Sequence, residues 1–396
     1  MSTAFFNAIS GMNAFERALD LVSNNVANMN TPGYHGQRSF FRSIGGERPL
    51  GVSMVGSGLR MSGGDVQQTG NPTDVALNGT GFFVLKDKQT GQLYFTRAGQ
   101  FEIQDNTLVD AATGYEVMMR DSSGNLVAAD IGNLRTLPPE ATTAVSLRGR
   151  LDPQAASTAP VTINNISVFD PSGARQTLRV VMTRDTASPI PNTWKVAVIN
   201  AAGQTISSST AEVRYDLQGR PVAGANTVTV TLTTGSASQQ ITFNFGTPGQ
   251  TDGTYQSPGL PATQYGVEVR ETNGHGIVGM TSATFDENGE LQITYGNGER
   301  RPAGRLALAA FTNESELLQR AGGLFQTNST NPARFGYANE GEFGSAQSGA
   351  LELSNIELTD ELGKVLQYQR GFQGCSRVMN VADGLVKTLL EESRGG

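Results

Sequence analysis

The sequence predicts a mainly β protein with an α-helix at each end, and three observations carry that expectation. Charged residues make up 16% and hydrophobic residues 37%, while 48 of the 396 positions are glycine. Between the ends, apolar residues alternate at a period of two and are punctuated by turn dipeptides. At the two ends, apolar residues recur instead at spacings of three and four. Disorder combines low hydrophobicity with high net charge, and this chain lacks the charge.

The N-terminal helix is expected within residues 3–27, where Phe5, Ala8, Met12, Phe15, Leu19, Val22 and Val26 form a heptad seam. Ile9 adjoins it, and Asn13, Glu16, Arg17, Asp20 and Ser23 take the other face. Thr31-Pro32-Gly33 ends the helix. The C-terminal segment repeats the pattern through Val365, Tyr368, Phe372, Cys375, Met379, Ala382, Val386 and Leu389, with Leu358 one heptad earlier. That helix also holds Gly363, Gly371, Gly374 and Gly384. At about 1 kcal/mol each relative to alanine, they cost roughly 4 kcal/mol. Burying an apolar side chain contributes about 1.5–3 kcal/mol, so the helix needs a partner along its seam. Both ends therefore read as helices ordered by assembly.

Strand signals fill the interior. Val228, Val230 and Leu232 alternate with threonine, then Gly235 and Ser236 precede Ile241, Phe243 and Phe245, a hairpin pattern. Asp170-Pro171-Ser172-Gly173 reads as a type I turn, and Asn288-Gly289 and Asn297-Gly298 as hairpin tips. Glycine- and serine-rich connectors follow the first helix at 44–64.

A net charge of −7 with no basic run argues against nucleic acid as a partner. No stretch approaches the ~18 apolar residues of a membrane-crossing helix, so no membrane insertion is expected. Cys375 is the sole cysteine, so no intramolecular disulfide forms. The first residues, MSTAFFNAISGMNAFERALD, carry no signal-peptide pattern, which suggests a cytoplasmic protein or one exported without a cleaved signal. Two histidines, His35 and His275, with one cysteine leave no zinc spacing and no metal or cofactor is expected. Gly274-His275-Gly276-Ile277-Val278-Gly279 matches a dinucleotide fingerprint in letters, but a strand rather than a helix is expected to follow it. The acidic run Asp286–Glu290 reads as a hairpin tip rather than a calcium loop. No constellation for catalysis appears, so an enzyme is not expected. Arginine outnumbers lysine 24 to 5, and Arg300-Arg301 with Arg148 and Arg150 are candidate subunit contacts.

Ala8-Ile9-Ser10-Gly11-Met12, then Asn24, Asn25, Asn28 and Thr31-Pro32-Gly33-Tyr34, resemble the N-terminal signature of the bacterial flagellar rod and hook axial proteins. Residues 70–85 and 94–117 are similar to that family's core domain. Residues 349–385, including Ser354-Asn355 and Gln369-Arg370, resemble its C-terminal signature. Residues 166–182, Trp194-Lys195-Val196 and 283–313 look like the hook-type members, which carry an insertion that rod members lack. One departure is His35, where the family often carries lysine; the expectation places it in a subunit-contact loop.

The resemblance implies four parts: a coiled coil of 1–30 with 357–396, a connecting segment of 31–70 with 335–356, a β core of 71–144 with 276–334, and an outer β domain at 145–275. It implies a structural subunit of the hook, a flexible curved tube passing torque from rod to filament, with the terminal seams as subunit interface. The implied partners are further copies of the chain, the distal rod protein, the hook cap, the hook–filament junction protein and the flagellar type III export apparatus. The implied place is the extracellular hook on the basal body. Glycines in the connectors at 31–36, 44–64 and 144–150, above all Gly45, Gly46, Gly63 and Gly64, are hinge candidates. A distal-rod subunit of the same family is the alternative; a secreted glycan-binding β protein explains the composition but not the helical ends.

Overall fold

Short strands need tight corners, and one local device supplies many of them. At Asp121, Asp170, Asp216 and Asp286 a carboxylate oxygen accepts the amide N–H groups two and four residues on, at 2.8–3.0 Å. The fourth residue of each tip is a glycine in the left-handed region, with φ of 84°, 84°, 78° and 68°, where a Cβ would be strained. The computed structural model describes residues 2–45, 51–121, 123–156, 159–234, 237–327 and 331–394. Gly235, Ser236 and Gly46 therefore lie outside the described residues.

The chain forms two units: Met1–Arg135 with Met280–Thr294 and Gly298–Gly396, and Thr136–Gly279 with Tyr295–Asn297. The second is a β sandwich. One sheet runs antiparallel through Val161–Phe169, Arg175–Arg184, Thr193–Ile199 and Glu212–Arg214. The other is ordered Thr227–Thr234, Ala237–Asn244, Ala144–Leu151, Thr254–Gln256, with Gly266–Thr272 also on Ala144–Leu151. The hairpin expected from the alternation forms with Val230 opposite Ile241. Its apolar residues, Phe243 included, turn inward into one core with Trp194, Val180 and Val196, while the threonines face out. After the glycine run at 274–279 comes the strand Val278–Phe285, so no helix opens there for a pyrophosphate.

In the first unit, Phe82–Lys86 is central, paired with Leu93–Thr96, Glu116–Arg120 and Leu308–Ala310. Phe82, Phe95, Phe311 and Phe325 form an edge-on aromatic core, with centroids 4.8–5.7 Å apart. Two short ladders then set up the helical end. Ser345–Ser348 pairs with Val75–Asn78, and Ala350–Glu352 with Val66–Gln68. They return the C-terminal segment to the residues that follow the first helix. That helix, α1, spans Ser2–Ala27, and α2 spans Leu358–Arg394. Between α1 and the core, Gln37–Ser43 and Val52–Leu59 form a two-stranded ribbon against α1. No described helix is long and apolar enough to cross a membrane.

Candidate functional site

α1 and α2 run antiparallel, as their contacts require: Gly11 meets Cys375, Phe15 meets Gly371, and Asn25 meets Glu361. Close approach sets which residues are buried. A Cβ on Gly11 would lie 2.6 Å from Cys375 Sγ, and one on Gly371 would lie 2.7 Å from the Phe15 ring. Phe15, Phe41 and Tyr368 form a three-ring cluster with centroids 5.9–6.2 Å apart. Ser39 and Tyr368 share a hydroxyl hydrogen bond of 3.0 Å.

The expected seam is turned by about one residue. The buried line of α1 is Ala8, Gly11, Ala14, Ala18, Val22 and Asn25, mostly small residues, of which Gly11 and Asn25 meet α2. Met12, Phe15, Leu19 and Val26 flank it half-buried, and Phe5 is exposed. On α2, Glu361 and Ala382 are buried, and Val365, Tyr368, Cys375 and Met379 are half-buried. Leu358, Phe372 and Val386 are exposed instead. The Leu389 side chain lies outside the described residues. Gln369 and Arg370 are exposed on α2. Further apolar exposure on α2 was not foreseen: off the line of Val365, Tyr368 and Met379 lie Leu362, Leu366, Val381 and Leu385, with Leu366 56% and Val381 65% exposed.

Alanine at Gly371 is expected to displace Phe15 and destabilise the pair by about 1–3 kcal/mol of overpacking, less about 1 kcal/mol of helix propensity. Alanine at Gly374, which has nothing within 4 Å of the built Cβ, should stabilise α2 by about 1 kcal/mol. Urea unfolding followed by helical circular dichroism separates the two cases.

A buried polar knot anchors this pair to the β core. Asn25 donates to Gln37 O at 2.8 Å and to Glu361 at 3.1 Å, and accepts the Gln37 amide at 3.0 Å. Glu361 also takes Arg60 and Lys364. Asn355 accepts the Gly36 amide at 2.8 Å and donates to Arg60 O and Ser62 O at 2.9 and 2.7 Å. His35 is 1% exposed, not in a contact loop as expected. Its Nδ1 faces Arg60 O at 2.9 Å and its Nε2 faces Glu352 at 3.3 Å. Arg97 lies 3.4 Å from the other Glu352 oxygen, lies over Phe82 and donates to Gly79 O at 2.6 Å. Opposite charges face each other inside it, although Arg97 Nε, His35 Nε2 and Glu352 Oε2 make no hydrogen bond among the described residues.

The remaining signature residues close the end of α1. Asn28 Nδ2 donates to Asn24 O at 2.9 Å, and Thr31 Oγ1 donates to Asn28 at 3.3 Å. Gly33 has φ 65° and donates to Glu352 O at 2.8 Å; a Cβ there would lie 2.3 Å from Ala98 N. Ser354 Oγ is buried beside this network. Gly64 is also held by packing, because a Cβ would lie 1.9 Å from Leu353 O, and its amide donates to Glu352 at 3.0 Å. Close approach to backbone therefore explains Gly33 and Gly64 better than freedom to bend. Gly63 has room for a Cβ, and Gly45 sits at φ 107°.

Burial pushes the Glu352 carboxyl up, yet the facing His35 ring, the Arg97 charge and the Gly64 amide outweigh it, so its pKa lies below the ordinary 4.5. Burial likewise opposes Glu361, and Lys364, Asn25 and Arg60 bring it below 4.5. Depressed carboxylates contribute stability above their unfolded pKa and lose it as pH falls through the folded value. The first unit is thus expected to be stable at neutral pH and to weaken progressively below about pH 4.5, which urea midpoints across an acid series check.

Three family models match this chain in order. Residues 6–35 match the flagella basal body rod protein, residues 76–150 the flagellar hook protein FlgE/F/G D1 domain, and residues 347–392 the flagellar basal body rod FlgEFG protein C-terminal. At both ends and in between, the chain is similar to the flagellar rod and hook proteins. The outer two of these matches cover α1 with its closing turn and nearly all of α2, the elements joined by the polar knot. Family members named flagellar hook protein FlgE align along nearly the whole chain. That of Borreliella burgdorferi is 27% identical, covering 98% of this chain and 99% of its own length. That of Escherichia coli K12 is 26% identical over the same shares, and that of Treponema pallidum is 25% identical over 100% of both.

Proposed function

We infer that this chain is the structural subunit of the bacterial flagellar hook and self-assembles into a flexible curved tube that carries torque from rod to filament. The observation that carries the reading is the further apolar exposure of α2. A helix with Leu362, Leu366, Val381 and Leu385 exposed beyond its contact with α1 has more apolar area than one chain covers. In a heterologous, open helical assembly, each copy covers the next. The end-to-end alignment with hook proteins and the sandwich unit at 136–279 favour the hook over the distal rod.

The subunit interface then comprises the exposed apolar residues of both helices, Phe5, Leu358, Phe372 and Val386 among them. Gly45 and Gly63 are the hinges that let subunits tilt as the tube bends. Its neighbours are the distal rod protein, the hook cap and the hook–filament junction protein, and it reaches the cell exterior through the flagellar type III apparatus without a cleaved signal. The role is structural rather than enzymatic. Deleting the gene and imaging purified basal bodies tests this. A complete rod with no hook is the expected result; a truncated rod assigns the chain to the distal rod, and intact hooks overturn the reading.

A further inference from the structure

The chain has four Asn-Gly pairs, at Asn78, Asn273, Asn288 and Asn297, and the fold treats them differently. Asn273 accepts the amides of Thr143 and Ala144 at 3.0 Å and donates to Thr143 Oγ1 at 2.7 Å. Asn288 accepts from Asn339 at 3.1 Å, and the amide of Gly289 is tied to Asp286 O at 3.0 Å. Asn297 is engaged in a contact of its own. Asn78 ends the strand Val75–Asn78 with its side chain exposed, and neither that side chain nor the Gly79 amide makes a hydrogen bond among the described residues. Gly79, at φ 116°, has no Cβ to shield its nitrogen.

We propose that Asn78 is a site of spontaneous deamidation in the folded protein. The Gly79 backbone nitrogen loses its proton to solvent and attacks Asn78 Cγ. A Cγ–N bond forms, the Cγ–Nδ2 bond breaks, and Nδ2 leaves as ammonia after taking up a proton. Water then opens the cyclic imide at either carbonyl, leaving aspartate or isoaspartate; no oxidant or reductant is involved.

The product carries weight because of its place. Asn78 lines a cavity of about 310 Å³ together with Arg97, Glu314 and Glu352. Conversion adds a third carboxylate to that wall. The isoaspartate form lengthens the backbone by one atom just before Gly79, whose carbonyl holds Arg97. Ageing at this bond would therefore loosen the polar knot from its cavity side.

The test is incubation of the full-length chain in neutral and mildly alkaline buffer, with peptide mass mapping and enzymatic methylation of isoaspartate over time. Position 78 is expected to convert several-fold faster than positions 273 and 288, and faster at the higher pH. In urea that difference should vanish. Equal rates at 78, 273 and 288 in the folded chain, or the same ranking in urea, would overturn the proposal. The variant Asn78→Ser should accumulate isoaspartate several-fold more slowly than the parent; an unchanged rate would do the same. None of these readouts depends on polymerisation, so they stand apart from the hook assignment.

Discussion

Phe15→Asp abolishes tube formation while leaving the sandwich unit folded. Phe15 sits on Gly371 and between Phe41 and Tyr368. An aspartate there removes the ring cluster and places a charge against the closest approach of the two helices. Truncating a buried phenylalanine costs about 3–5 kcal/mol, and a half-buried one falls toward the lower figure before the charge is counted. Two signals separate the units. Trp194, the sole tryptophan, lies in the sandwich core, whereas α1 and α2 belong to the other unit. Helical circular dichroism should fall while tryptophan fluorescence keeps its parental unfolding midpoint, with no tubes under the electron microscope. Phe372→Asp, at an exposed position, should spare the helix signal and still block assembly.

Glu352→Ala carries the second large effect. Its carboxylate is the shared partner of His35, Arg97 and the Gly64 amide, all packed around a side chain that is 1% exposed. Breaking a buried ion pair by removing one member costs about 3–5 kcal/mol, because the other charge stays buried. The first unit should lose that much in urea unfolding, and its acid sensitivity below about pH 4.5 should diminish because a depressed, buried carboxylate is gone. Glu352→Gln keeps the shape and an acceptor for Gly64, so it should fall between parent and alanine. An alanine variant as stable as the parent would show that the knot contributes little.

Local rules made much of this fold legible. The Thr/Val alternation of 227–234 predicts a half-buried strand and becomes one, and the Asp-x-x-Gly spacing builds the corners because a carboxylate reaches two amides within five residues. The helical ends were legible as elements but not in their contact line. A reading by apolar size selects Met12, Phe15 and Leu19, whereas the most buried line of α1 runs through the small residues Gly11, Ala14 and Ala18, with Phe15 beside it on Gly371. That signal was present as small residues at helical spacing. The polar knot was not legible. Asn25, Arg60, Arg97, Glu352 and Glu361 meet only through the strand pairings that return the C-terminal segment, and no spacing rule links them. His35 illustrates this: as a residue after a turn it reads as part of a subunit-contact loop, yet its two ring nitrogens face Arg60 O and Glu352 inside.

The central claim is that the exposed apolar surface of α2 is covered by further copies of the chain. Thiol labelling tests it most directly, with Leu366→Cys introduced alongside Cys375→Ala so that a single cysteine reports. Leu366 is exposed in the single chain, so a maleimide should react fast with free subunits. In assembled tubes this position should be strongly protected. Equal labelling of free subunits and of tubes would contradict it.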